Sequence, residues 1–188
     1  MLISYRHGFI FIHVYKNAGM SIARALGPFA KKNPGPFHAH VSAAEVVERL
    51  GRERFRSLFS FAFVRNPWDW QVSQYCYMLL EKRHFQHGLV KGLGSFGAYV
   101  KWRCDNDVRF QKDLVCSDDG EALVDFVGRF ERLEDDFRSI CSRIGVSAVL
   151  PRLNVSNRVS YRDFYDEETR ELVGRTFAPD IDLFGYGF

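Results

Sequence analysis

FIFIHVYKNAGMSIARAL, residues 9–26, decides how this chain folds. The apolar run Gly8 to Tyr15 has the continuous character of a strand covered on both faces. Lys16, Asn17, Ala18, Gly19, Met20 and Ser21 follow, and a helical pattern then runs from Ala18 to Leu26. A strand, a tight basic turn and a helix start leave backbone N–H groups pointing outward, where an oxyanion such as phosphate binds. Lys16 adds a positive charge and Ser21 a hydroxyl. An ordinary strand–helix turn carrying a surface lysine has the same outline, so the stretch needs support from elsewhere.

Working outward, Gly27-Pro28 ends the first helix, and KKNPGPFHAH (31–40) is a loop rich in Pro, Gly and His. Ser42 with Glu45 three residues on has capping-box spacing for a second helix, which Gly51 ends. LFSFAFV (58–64) is a second buried strand, closed by Arg65. Asn66 and Pro67 cap and start a helix to about Lys82, with Val72, Tyr75, Cys76 and Leu79 on its apolar stripe. Residues 84–120 are the least readable part: four glycines from Gly88 to Gly97 suggest a mobile connection, and Phe96 to Arg103 a short helix. Leu123 to Phe130 is a third strand candidate that Gly128 weakens. Glu134 to Ile144 is a helix with Gly145 as terminator, and Asp166 caps a last helix to about Phe177. The aromatic tail FGYGF is expected to pack on the body. This alternation predicts an α/β three-layer sandwich with a central, mostly parallel sheet.

With 188 residues, no repeat and no linker, the chain is expected to be a single domain, 1–188. A net charge of +3 suits an anionic ligand but is too small to argue for nucleic acid, and no lysine-rich tract exists. Cys76, Cys104, Cys116 and Cys141 have no CxxC or zinc spacing and read as free thiols, so no metal site is expected. No apolar stretch is long enough to span a bilayer, and no signal peptide is evident. The sequon Asn154-Val155-Ser156 therefore carries little meaning.

Both strand–turn–helix units place polar groups at the carboxyl end of a strand, where open α/β sheets bind ligands. The second supplies Arg65 and, eight positions on, Ser73. An arginine fork with a hydroxyl suits a second phosphate. Two anion sites on one sheet point to a nucleoside with phosphates at both ends. The first turn is not a Walker A loop, because Lys16 precedes Gly19 and GxxxxGK[ST] is absent.

VYKNAGMSI followed by FVRNPWDWQVSQY resembles the two cofactor motifs of sulfotransferases that use the nucleotide sulfate donor PAPS. The likeness is greatest to carbohydrate sulfotransferases, Golgi-type and uronyl 2-O-like, and their bacterial relatives. VGRFERLEDDF, PRLNVSNR, YRDFYDEETRELV and DIDLFGYGF extend it over most of the chain. The resemblance implies the P-loop-kinase-like sulfotransferase fold and transfer of a sulfuryl group from PAPS to a hydroxyl of a saccharide or glycoconjugate, leaving PAP. It implies that Lys16, Asn17, Ala18, Gly19, Met20 and Ser21 hold the 5′-phosphosulfate, that Arg65 and Ser73 hold the 3′-phosphate, and that Ser156 and Arg158 close over the nucleotide.

Lys16 and the helix-start N–H groups suit charge that develops on the leaving oxygen. A hydroxyl acceptor needs a base, and FHAHVS offers His38 and His40. A comparable histidine loop serves uronyl 2-O-sulfotransferases, and His40 is favoured. Glu45 is a rival with a capping task, and His13 reads as a packed residue or part of the cofactor's surroundings. Arg103, Arg109 and Lys112 suit an acidic saccharide or a solvated surface; Trp68, Trp70 and Trp102 suit a sugar face or the core. The short, anchorless chain resembles a bacterial-type enzyme of the cytoplasm, free or peripheral to the inner membrane. A degenerate nucleotide- or glycan-binding relative and a small-molecule kinase are the alternatives. The oligomeric state is left open.

Overall fold

The structure is a computed structural model, and it describes residues 1–188 except 33, 36 and 152–158. Ser156 and Arg158 therefore lie outside the described residues. The strands are β1 (Leu2–Ser4), β2 (Phe9–Ile12), β3 (Lys31–Lys32), β4 (Phe59–Val64) and β5 (Phe126–Arg129). The helices are α1 (Gly19–Leu26), α2 (Ala43–Leu50), α3 (Arg52–Arg56), α4 (Pro67–Leu80), α5 (His87–Leu93), α6 (Phe96–Asn106), α7 (Leu133–Arg143), α8 (Glu167–Thr176) and α9 (Ala178–Phe184).

Among the described residues, five strands form one sheet in the order β3-β1-β2-β4-β5. β2–β4 and β4–β5 pair in parallel, whereas β1 is antiparallel to both β2 and β3. β1 is thus the one reversed strand in a mixed, mostly parallel α/β sheet flanked by helices. The chain divides into two compact units: Met1–Arg65 with Gln111–Val155, and Asn66–Phe110 with Ser156–Phe188.

In the first unit, alternation puts Phe9, Phe11, Phe61 and Phe63 on one face of the sheet. Ile22 and Leu26 of α1 and Phe137, Ile140 and Cys141 of α7 pack into the same buried cluster. Register at the start of β4 is fixed by a reciprocal pair. The Ser60 backbone N–H and hydroxyl donate to Asp125 Oδ2, each at 2.8 Å, and the Asp125 N–H donates back to Ser60 Oγ at 3.1 Å. Gly128 has a packing reason to interrupt β5. A Cβ there would lie 2.5 Å from Cε1 of Phe63, so only glycine lets the strands and that ring coexist.

In the second unit, Asn66 caps α4 by accepting from the Trp68 N–H at 3.1 Å, with Pro67 at the first helical position. Trp70 is fully buried and meets Phe177 edge-on at 6.4 Å. Asp166 caps α8 in a complete capping box with Thr169. Phe188 packs edge-on against Trp68, Tyr161 and Tyr165, which accounts for the aromatic tail.

Several expectations change. Instead of a mobile connection, the glycine-bearing stretch contains α5, and the helix expected at Phe96 to Arg103 runs on to Asn106 as α6. The buried face of α4 runs through Trp68, Gln71, Val72, Gln74 and Met78, while Tyr75, Cys76 and Leu79 are only half-buried. Lys31 and Lys32 form an edge strand, and α3 and α9 follow directly on helices that were expected to end the pattern. The four cysteines are thiols outside any disulfide, with Cys116 and Cys141 buried.

Gly128→Ala is expected to cost about 1–3 kcal/mol through overpacking against Phe63. Urea denaturation measures it; an unchanged midpoint would show that Phe63 moves aside freely.

Candidate functional site

The turn after β2 is conformationally costly. Lys16 (φ +64°) and Ala18 (φ +57°) both occupy the left-handed region, which costs an L-residue roughly 1–2 kcal/mol each. Asn17 between them is 1% exposed and holds the turn in place. Its Nδ2 donates to the Phe63 carbonyl at 2.9 Å and to Gln111 Oε1 at 2.8 Å, while its Oδ1 is buried without a hydrogen-bond partner among the described residues. Ala18 directly precedes α1, and no side chain caps that helix. Ser21 is buried in its first turn, and Met20 is 63% exposed.

Arg65 follows β4 at the same end of the sheet and is 6% exposed. Its Nη1 donates to the Lys16 carbonyl at 3.2 Å, and its guanidinium lies 3.8 Å over the Phe130 ring. The structure thus brings together the turn and the arginine that sequence spacing alone kept apart. Ser73 lies half-buried on α4 in the second unit.

The histidines gather beside this turn. The His13 ring occupies the space that a Cβ on residue 19 would need, so Gly19 is required for close approach. His13 and His40 have ring centroids 4.5 Å apart, and Tyr15 meets His40 edge-on at 5.8 Å. His40 Nδ1 sits 3.0 Å from the His13 carbonyl oxygen. A carbonyl only accepts, so Nδ1 carries the hydrogen and a neutral His40 keeps its lone pair on Nε2. Desolvation lowers the His40 pKa below 6.5, against the opposing effect of that hydrogen bond. Burial, then the neighbouring His40, lowers His13 from 6.5 to about 3.

His38 is differently placed. It is 64% exposed, with Nε2 3.8 Å from Glu45 Oε2. Glu45 supplies its N–H to Ser42 Oγ at 3.1 Å, but its carboxylate turns to Arg49 at 2.5 Å instead of completing a capping box. Arg103 is not a solvated cation: it is 2% exposed and paired with Asp107, which also pairs with Arg109 at 2.8 Å. Lys112 pairs with Asp113 at 3.3 Å. Trp68 and Trp70 are core residues, and Trp102 is half-buried.

Gln111 was missed from sequence. It is a lone polar residue in an unpatterned stretch, 94 positions from Asn17 and 46 from Arg65. No sequence signal announced it.

Because His13 stays neutral when folded but takes a proton near pH 6.5 when unfolded, the unfolded state binds more protons between about pH 6.5 and 3. Stability from this residue is therefore fully present above pH 6.5 and is lost as pH falls toward 3. Urea unfolding at pH 5 and pH 7.5 is expected to show a smaller pH difference in His13→Gln than in wild type. Equal differences would contradict it.

Among the described residues, no helix is long and apolar enough to cross a membrane. The chain is 31% identical over 120 residues to an uncharacterized protein of Archaeoglobus fulgidus, covering 62% of this chain and 93% of that one. No solved structure matches significantly. The sulfotransferase family model matches residues 1–187, across both units. With a strained basic turn at a helix start, a buried arginine beside it and a match over nearly its whole length, the chain belongs to the sulfotransferase family, whose members transfer sulfuryl groups.

Proposed function

We propose that residues 1–188 act as one sulfotransferase domain that moves a sulfuryl group from PAPS to a hydroxyl of a saccharide or glycoconjugate and releases PAP. The observation that carries this reading is the buried Arg65 guanidinium within hydrogen-bond reach of the Lys16 turn. A guanidinium held at 6% exposure beside that turn presents a planar fork suited to a phosphate, and this reading gives it the 3′-phosphate.

In this reading the N–H groups of Lys16 to Ser21 and the Lys16 side chain hold the 5′-phosphosulfate at the start of α1. Arg65 holds the 3′-phosphate. Ser73 is assigned to the same phosphate by its spacing in the sequence, and Ser156 and Arg158 by resemblance. The acceptor oxygen attacks sulfur as the bond between sulfur and the bridging phosphate oxygen breaks. The electron pair leaves with that oxygen, where Lys16 and the turn's N–H groups stabilise it. The acceptor's proton passes to His40 Nε2, the atom left open by the His13 carbonyl. His40 is preferred over His38 because its tautomer is set by a backbone partner, whereas His38 faces Glu45. The acceptor assignment rests on the resemblance of the motifs.

Labelled PAPS offered to a panel of saccharides is expected to give sulfated product detected by mass spectrometry. His40→Ala is expected to lower kcat about 100-fold or more, whereas His38→Ala stays within about threefold of wild type. The acid limb of the wild-type profile is expected below pH 6.5, since His40 must be neutral. Full transfer by the His40 variant would remove the base assignment. Nucleotide binding without transfer to any acceptor would favour the binding-only alternative.

A further inference from the structure

The Gln111 side chain is buried completely, at 0% exposure, and every polar atom of its carboxamide is engaged. Oε1 accepts from Asn17 Nδ2 at 2.8 Å and from the Arg65 backbone N–H at 2.9 Å. Nε2 donates to the Arg65 carbonyl at 2.8 Å. The location explains why a side chain is needed. Parallel pairing of β2 with β4 ends at Ile12↔Ala62, and pairing of β4 with β5 ends at Val64↔Arg129. Arg65 lies one residue past the ladder, and there its N–H and carbonyl pair with the Gln111 side chain. One carboxamide meets both, as a neighbouring strand would, and uses its remaining acceptor capacity on the turn after β2.

We propose that Gln111 is a positioning residue that fixes the separation between the Lys16–Ser21 turn and Arg65, and so the length of ligand they hold together. The proposal rests on the reading that one nucleotide spans both. In this role Gln111 acts on the ligand indirectly. It acts through Asn17, which anchors two left-handed neighbours, and through the Arg65 backbone, which aims the guanidinium.

A spacing role has a signature that general destabilisation lacks. A ligand gripped at two ends gains from their fixed separation, whereas a ligand gripped at one end does not. Calorimetry with adenosine 3′,5′-bisphosphate, 5′-AMP and 3′-AMP therefore discriminates. Gln111→Leu roughly keeps the volume and removes every side-chain hydrogen bond. It is expected to weaken the bisphosphate about tenfold or more, while each monophosphate changes by no more than about threefold. Gln111→Asn, one methylene short, is expected to show the same split at smaller size, and it supplies the comparison if the leucine variant does not fold. Equal losses for all three ligands, or an unchanged bisphosphate affinity, would overturn the proposal. If wild type binds no bisphosphate, the donor reading falls, and hydrogen exchange then judges the clamp alone. Faster exchange at both residues 16–21 and Arg65 in the variant supports it; unchanged exchange at either end overturns it.

Discussion

Two side-chain amides and one backbone segment hold this site together. Asn17 reaches from the turn after β2 to the Phe63 carbonyl and to Gln111, and Gln111 reaches on to the Arg65 backbone. All three residues are at most 6% exposed, so their hydrogen bonds face no competition from water. Such bonds add modestly to stability when made but are expensive to leave half made. The network therefore restricts geometry more than it adds energy. It holds Lys16 and Ala18 in left-handed conformations that neither would adopt unaided.

The histidines beside the turn follow from the same close packing. Glycine at position 19 lets the His13 ring lie against the start of α1. The His13 carbonyl then sets the tautomer of His40. Both imidazoles favour the neutral form, one strongly. A neutral imidazole suits proton acceptance and avoids placing a further positive charge near Lys16. One backbone carbonyl thus links a packing residue to the proposed base.

Much of this was legible in the chain before any coordinates. Phe9–Ile12 and Phe59–Val64 are short continuous apolar runs because both faces of those strands are covered, and their turns carry the charged residues. Ser42, Asn66 and Asp166 announced their helices because a cap is a local interaction. β1 and β3 were not legible: three and two residues cannot display a period, and their pairing is set by register with distant partners. The glycines near 90 suggested a break, yet α5 ends only at Gly94, in the left-handed conformation, and α6 starts at once behind Ser95. Arg103 read as a cation for an acidic saccharide or a solvated surface because its partner, Asp107, becomes a neighbour only when α6 is wound beyond the expected end. Gln111 was invisible for the same reason: its meaning is entirely tertiary.

In the proposed function, the turn after β2 and Arg65 grip opposite ends of one nucleotide. A crystal structure of the protein with adenosine 3′,5′-bisphosphate tests it most directly. The 5′-phosphate is expected against the N–H groups of residues 16–21 and the 3′-phosphate within hydrogen-bond distance of the Arg65 guanidinium. A bisphosphate seated elsewhere, or with its 3′-phosphate out of reach of Arg65, would contradict it.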